Sequence, residues 1–272
     1  MMVWWATAMH GKAEDQPTVS FVVPCYNEQA NIAAAVTEIE AAAHEALLPS
    51  FEIVVVDDCS VDRSRELVTQ LAAEKSHLRL VANPQNLGFG GAYKTGVRNA
   101  RGNYVIMIPG DNSHPSSGIT PILRRVGEAD IVIPYASNPE ARSVARQVLS
   151  SAFTRLVNLL FGLKIAYFNG CVLHKTDHLK QIEIRTNGFA YQAEALVKLI
   201  RAGANYTEIP VAISERSNGK TSAFKLKNIY RVGMAMVTVW FDIHGARRKP
   251  TRRIVPRSVP APADQQNSAV NQ

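Results

Sequence analysis

The fold is decided by the stretch VIMIPGDNSHP, residues 105–115. Its first four residues are apolar, which is typical of a parallel strand covered on both faces. Pro109 and Gly110 then predict the end of the strand. A carboxylate, an amide, a hydroxyl and an imidazole follow at residues 111–114. This oxygen-rich turn suits a hard divalent cation, Mg²⁺ or Mn²⁺, at a strand end. It equally suits an Asx turn in which Asp111 caps the next helix.

Similar apolar strands recur along the chain and alternate with helical patterns. The predicted strands occupy residues 19–23, 51–56, 78–81, 105–108 and 131–133. Predicted helices include residues 29–47, 144–161 and 192–201. The alternation predicts an α/β fold of Rossmann-like type, with a mostly parallel central sheet flanked by helices on both faces.

Acidic residues follow three of these strands. Glu28 follows the first, Asp57 and Asp58 follow the second, and Asp111 follows the fourth. Because parallel strands end at one edge of the sheet, we expect these carboxylates to converge and to need a cation or a donor-rich ligand. A nucleotide diphosphate with a divalent metal fits that need. The glycine-rich stretch at residues 88–91 comes two strands too late for a dinucleotide fingerprint, which argues against an NAD enzyme.

The composition is that of a globular protein with a large core. Of the 272 residues, 46% are apolar and 19% are charged. Three scattered cysteines with no C-x-x-C pair indicate neither a disulfide framework nor zinc, so we expect a cytoplasmic protein. The net charge of +7 is concentrated in a basic run at residues 247–257. We rank an anionic membrane surface above nucleic acid as its partner, because no nucleic-acid motif accompanies the run.

A segment ahead of the basic run predicts an amphipathic helix. Its apolar stretch, Val232 to Phe241, is too short to span a bilayer. A wide apolar face with Trp240 suits a helix that lies in the membrane interface. An ordinary helix packed on the domain or on another subunit explains the pattern equally well.

Five motifs, in order, resemble the family 2 glycosyltransferases of GT-A fold, and among them the polyprenyl-phosphate sugar synthases typified by dolichol-phosphate mannose synthase. The motifs are VVPCYNE (22–28), VVDDCS (55–60), NLGFGGA (86–92), GDNSHP (110–115) and YQAE (191–194). The resemblance spans residues 19–224. With the composition and patterning of the two ends, it predicts four regions: a flexible extension at 1–16, a GT-A domain at 17–221, an amphipathic helix that is a candidate for the membrane interface at 222–245, and a basic disordered tail at 246–272.

The resemblance also implies roles for individual residues. Those that bind the nucleotide sugar would be Pro24, Tyr26, Glu28, Asp57, Asp58, Gly88, Gly90, Lys220 and Ser222. Those with catalytic roles would be Asp111, Gln192, Glu194 and Arg216, with Asp111 also the ligand of Mg²⁺ or Mn²⁺. Asp58 would bond the base, and Gln192 and Glu194 would face the transferred sugar and the acceptor.

Two positions depart from the family pattern. The metal motif of the family is Asp-x-Asp, and Pro109 stands at its first position. A turn that is commonly Asp-x-Thr-Gly in mannose synthases is Tyr-Phe-Asn-Gly at residues 167–170. The first departure removes a metal ligand, and the second leaves the sugar open.

The resulting expectation is an inverting glycosyltransferase. It would move a sugar from a nucleotide-sugar donor, a GDP- or UDP-sugar, to a polyprenyl phosphate at the cytoplasmic face of a membrane. An alternative is transfer to a hydroxyl of a saccharide or glycolipid, for which Glu194 would be the general base. A nucleotide-sugar-binding protein without turnover is a third interpretation, because Pro109 replaces a metal ligand. A homo-oligomeric state is left open.

Overall fold

A computed structural model of the chain describes residues 16–213 and 226–244, the side chains of 226–231 excepted. The extension before residue 16 and the basic tail lie outside this range, as do three of the predicted site residues, Arg216, Lys220 and Ser222.

The described chain folds as one seven-stranded sheet with helices on both faces. The strands are β1 (Val19–Cys25), β2 (Phe51–Asp57), β3 (Leu78–Ala82), β4 (Tyr104–Met107), β5 (Ile131–Ala136), β6 (Leu173–Lys175) and β7 (Tyr206–Val211). The helices are α1 (Ile32–Glu45), α2 (Ser64–Glu74), α3 (Phe89–Asn99), α4 (Ser116–Leu123), α5 (Val144–Phe161), α6 (Thr176–Gln181), α7 (Tyr191–Arg201) and α8 (Leu226–His244). A 3₁₀ turn, Pro139–Ala141, precedes α5.

The strand order is β3-β2-β1-β4-β6-β5-β7. Every pairing is parallel except those of β6, which runs antiparallel to both β4 and β5. The prediction of a mostly parallel sheet is therefore confirmed. The sequence interpretation contained neither β6, which is only three residues long, nor β7, which contains Pro210. A proline is tolerated in β7 because this strand lies at the edge of the sheet.

The apolar sequence runs become the two halves of the core. All seven residues of β1 are buried, as expected for a strand near the middle of a parallel sheet. One core layer lies under α3, α5, α7 and α8, and the other lies under α1, α2 and α4. In α3, Gly96 lets the helix approach the side chain of Val22, where any Cβ would overlap the valine methyl groups.

Pro109 was predicted to end the pairing of this segment with its neighbouring strand, but the pairing with β1 continues past it. The chain stays beside β1 beyond β4, because the N–H groups of Ile108 and Gly110 donate to the carbonyls of Val22 and Pro24 at 3.0 and 3.1 Å. Pro109 falls between these two donors, where the ladder to β1 requires no N–H. The oxygen-rich turn is therefore held against the end of β1.

Helix α8 is amphipathic, as predicted. Met236 and Val239 are 1% exposed and join the core, whereas Val237 and Phe241 on the other face are 46% and 61% exposed. In the described part of the chain no helix is long and apolar enough to cross a bilayer. One face of α8 therefore packs on the domain, and the other remains apolar and accessible.

Candidate functional site at the carboxyl edge of the sheet

The turns after β1 and β2 are bonded to each other at the carboxyl edge of the sheet. The N–H groups of Asn27 and Glu28 donate to the hydroxyls of Ser60 and Ser64 at 3.1 and 2.8 Å, and the Asn27 amide oxygen accepts from the N–H of Val61 at 2.9 Å. These bonds hold the predicted residues Pro24, Tyr26 and Glu28 beside the second acidic turn. Tyr26 is 47% exposed, so its ring is accessible to a ligand.

Asp57 and Asp58 are buried at the end of β2, with exposed fractions of 0% and 3%. Asp57 is paired with the Arg65 guanidinium at 2.7 Å. Asp58 accepts hydrogen bonds from the N–H groups of Leu87 and Gly88 at 2.9 and 2.8 Å and from the Asn83 amide at 2.8 Å. Asp58 therefore positions the glycine-rich turn, and its contact with a nucleotide base stays a prediction.

The glycines at the start of α3 permit a close contact within the protein. Gly88 has a φ of +78°, a conformation that favours glycine. The N–H of Gly90 donates to the carbonyl of Asn187 at 2.8 Å, and a Cβ on Gly90 would lie 2.9 Å from the backbone of Asn187 and Gly188. These two predicted binding residues thus bring the segment before α7 against α3. Their contact with a nucleotide sugar stays a prediction.

Asp111 forms the expected Asx turn but does not cap a helix. Its carboxylate accepts from the N–H of Ser113 at 3.2 Å, and Asn112 has a φ of +53°. The first N–H of α4, that of Ser116, donates instead to Glu38 at 2.6 Å.

Burial, together with the Asp111 charge, raises the pKa of the Cys171 thiol to about 12, so this thiol stays protonated.

Whether these residues fit a divalent metal ion depends on Asp111. Among the described residues, no group of three or more His, Cys, Asp or Glu side chains could hold an ion. Mg²⁺ commonly uses only one or two protein carboxylates and takes its other oxygens from water and substrate phosphates. The single carboxylate of Asp111, with Pro109 beside it, fits an ion that is held mainly by a diphosphate.

Glu194 is bound within the protein. It is fully buried, and it accepts from the N–H groups of Arg185 and Thr186 at 2.9 Å each and from the Lys198 ammonium at 2.6 Å. Burial raises the pKa of its carboxyl, but these donors lower it further than burial raises it, so the pKa lies below its usual value. Glu194 is therefore an ionised residue that positions the segment before α7.

Gln192 is 3% exposed, and its amide lies 2.9 Å from Nε2 of His174. Burial lowers the pKa of His174 to about 3, so the ring is neutral at ordinary pH. At Nε2 the neutral ring accepts a hydrogen bond from the Gln192 NH₂ group, and it keeps its own proton on Nδ1. Gln192 therefore ties α7 to β6, and its predicted contact with the transferred sugar stays a prediction.

The sequence interpretation missed Lys198, Asp242 and Asn187. Asp242 pairs with Arg185 at 2.6 Å and lies 3.5 Å from Lys198, which joins α8 to α7. The only local signal was the spacing of Glu194 and Lys198, four residues apart on one helix. The contacts of Asp242 and Asn187 join segments that are distant along the chain.

Comparisons with known proteins identify the family to which the chain belongs. The family profile described as Glycosyl transferase family 2 matches residues 20–175. An undecaprenyl-phosphate mannosyltransferase of Micrococcus luteus is 26% identical over 211 residues, which cover 74% of this chain and 85% of that protein. An undecaprenyl-phosphate 4-deoxy-4-formamido-L-arabinose transferase of Pseudomonas aeruginosa is 32% identical over 221 residues, which cover 78% of this chain and 62% of the relative.

A solved structure shows the same fold. It is glucosyl-3-phosphoglycerate synthase from Mycobacterium tuberculosis in complex with Mn²⁺, uridine diphosphate and phosphoglyceric acid. Its TM-score is 0.55 at 18% identity, and the match covers 89% of this chain and 80% of that one. Apart from Val19, the matched family residues include β1 to β6, together with every acidic turn described above. This chain therefore belongs to glycosyl transferase family 2 and is a glycosyltransferase of GT-A fold.

Proposed function

We propose that this protein transfers a sugar from a nucleotide-sugar donor to a polyprenyl phosphate, with inversion at the anomeric carbon. The proposal rests on the family, on the acidic carboxyl edge of β1, β2 and β4, and on the names of the two relatives, both of which act on undecaprenyl phosphate. The donor would be a UDP- or GDP-sugar.

The burial and the hydrogen bonds of Glu194 favour a phosphate acceptor over a hydroxyl acceptor. A hydroxyl acceptor requires a base to take its proton, whereas a lipid phosphate is already an anionic nucleophile. Glu194, the residue we expected to act as that base, is buried and accepts three hydrogen bonds from the protein. A phosphate acceptor needs no such base, so it suits this site better than a saccharide hydroxyl.

The departing nucleotide diphosphate gains negative charge as its bond to the sugar breaks. A Mg²⁺ or Mn²⁺ ion, when bound, supplies the charge neutralisation that this step requires. Asp111 would hold the ion at the end of β4, while the bonded turns after β1 and β2 would orient the nucleotide. Arg216 and Lys220 would add cationic groups to the phosphates.

The enzyme would work as a peripheral protein at the cytoplasmic face of the membrane. The exposed apolar face of α8 and the basic run at 247–257 support this location, because apolar area and cationic side chains together bind anionic bilayers. The predicted interfacial placement of α8 is part of this proposal.

Calorimetric titration with UDP, GDP and their sugar conjugates, each with Mn²⁺ and with EDTA, tests the donor side. We expect metal-dependent binding of one nucleotide, and we expect Asp111→Asn to lose the metal dependence while it keeps the melting temperature. Incubation of the preferred donor with undecaprenyl phosphate should then yield a lipid-linked sugar. Binding of no nucleotide would refute the proposal, and transfer only to hydroxyl acceptors would overturn the choice of acceptor.

A further inference from the structure

An apolar cleft of about 420 Å³ lies between the start of α3, the segment before α7, and α8. This volume is within the usual range for ligand pockets, roughly 300–1,000 Å³. Its apolar lining consists of Leu87, Phe89, Phe189, Ala190 and Val232. None of the described residues that line it is charged. A phosphate or diphosphate would find no counter-charge there, whereas a hydrocarbon chain would bury apolar surface.

Two carboxylates that we had expected to touch the donor or the acceptor hold the walls of this cleft. Asp58 binds the N–H groups of Leu87 and Gly88 and so holds the first wall. Glu194 binds the N–H groups of Arg185 and Thr186 and so holds the second. The bond from Gly90 N–H to the Asn187 carbonyl, 2.8 Å long, joins the two walls at their base.

The third wall of the cleft is α8, and an ion pair joins it to the second wall. Asp242 pairs with Arg185 at 2.6 Å, next to the segment that Glu194 holds. Phe89 and Phe189 both line the cleft and contact each other, with ring centroids 5.9 Å apart, and Phe189 is 37% exposed. The cleft is therefore braced on three sides and is accessible at Phe189.

We propose that this cleft binds the isoprenoid chain of the lipid-phosphate acceptor. The inference rests on the proposed function, since it assigns a place to the apolar part of that acceptor. Two observations select this occupant. The wall at Leu87 and Gly88 is bonded directly to Asp58 at the carboxyl edge of the sheet, so the cleft adjoins the donor side. The wall at Val232 belongs to α8, whose opposite face exposes Met234, Val237 and Phe241, so the helix that lines the cleft also presents an apolar surface to a bilayer.

Photolabelling tests the cleft independently of transfer. The probe is a farnesyl phosphate that carries a diazirine on its chain, irradiated with the full-length protein and mapped by mass spectrometry. We expect labels on residues 87–89, 186–190 or 232, and we expect excess undecaprenyl phosphate to remove them. Labels confined to other surfaces, or labels removed by nucleotide but not by the lipid, would overturn the inference even if the enzyme proves to use a lipid acceptor.

Kinetics of Phe189→Asp provide the second test. A charge at the cleft mouth should raise the KM for undecaprenyl phosphate about tenfold or more, because several apolar groups lose their contact. The Kd of the nucleotide should change less than twofold. Phe189→Leu should behave like the wild type, as should Leu47→Asp, which places the same charge on an 85% exposed leucine after α1.

The outcomes separate the two proposals. An unchanged KM in Phe189→Asp, with transfer to lipid intact, would refute the cleft but leave the proposed function standing. A nucleotide Kd that rises together with the KM would assign the cleft to the donor. Wild-type protein that transfers no sugar to undecaprenyl phosphate would refute the proposed function, and the photolabelling would then still decide whether the cleft binds isoprenoid chains.

Discussion

Replacement of Glu194 by glutamine distinguishes a positioning role from a reactive one. The amide keeps the shape of the side chain but offers one acceptor oxygen instead of two. At least one of the N–H groups of Arg185 and Thr186 must then face an NH₂ group, and Lys198 loses the charge that lies 2.6 Å away.

The expected loss of stability follows from these contacts. A buried donor without an acceptor costs about 1–3 kcal/mol, and a hydrogen bond to a charged group is worth about 1.5–3 kcal/mol. In the variant, the Lys198 ammonium would still donate to the carbonyl of Glu183, 2.8 Å away. This remaining hydrogen bond limits how much Lys198 adds to the loss of stability. We therefore expect a total of about 3 kcal/mol, which lowers the Tm by about 6–12 °C.

Differential scanning calorimetry and urea unfolding measure this change, with Glu183→Gln as the matched control. Glu183 lies in the same segment, but its side chain is 66% exposed, so its loss should cost less than about 0.5 kcal/mol. The pKa of Glu194 is lowered by folding, so its contribution should be present at pH 7 and disappear as the pH falls below about 4.3 and through the lowered folded pKa. A Glu194→Gln protein with wild-type Tm and no transfer activity would refute this reasoning and make Glu194 a reactive group.

Two further changes test the packing and the buried histidine. Gly96→Ala should destabilise the protein by about 1–3 kcal/mol, because the new methyl group overlaps Val22, while Gly233→Ala, on an open face of α8, should stabilise it by about 0.5–1 kcal/mol. Equal shifts in urea midpoint for the two variants would contradict the close packing of α3 on β1. His174 stays neutral when folded, so unfolded protein gains a proton below pH 6.5, and about 2 kcal/mol of stability should be lost between pH 6.5 and 5. His174→Leu should lack this component of the pH dependence, and an unaltered slope in that variant would show that His174 can be protonated in the fold.

Local sequence pattern predicted the elements that carry strong periodicity. The bounds of α5 were predicted as residues 144–161, and the structure gives Val144–Phe161. The buried strands β1 and β2 were likewise recognised, because a short continuous apolar run between two turns is typical of a buried strand. Strand β6 has no such signal, since three residues are too few to establish a period.

The candidate site was predicted in part for the same reason. The position of the acidic residues at the ends of successive strands depends only on chain order, and the structure confirms that Asp57 is the last residue of β2 and that Asp58 and Asp111 come after β2 and β4. The partners of each carboxylate depend on tertiary contacts. Asp58 binds residues 29 and 30 positions away, and Asp242 contacts Arg185 across 57 positions. No local pattern predicts such pairs.

The strand order determines how long each strand must wait for its neighbours in the sheet during synthesis on the ribosome. Strands β1, β2 and β3 are consecutive in the chain and adjacent in the sheet, so they can pair as they emerge. Strand β5, by contrast, pairs only with β6 and β7, which are made later, and β7 ends at Val211, 75 residues after the end of β5 at Ala136 (211 − 136). At about 5–20 residues per second, the apolar strand β5 waits roughly 4–15 seconds for its last neighbour. The nascent chain is therefore most exposed to misassociation while residues 137–211 are being made, and chaperone demand should concentrate in that interval.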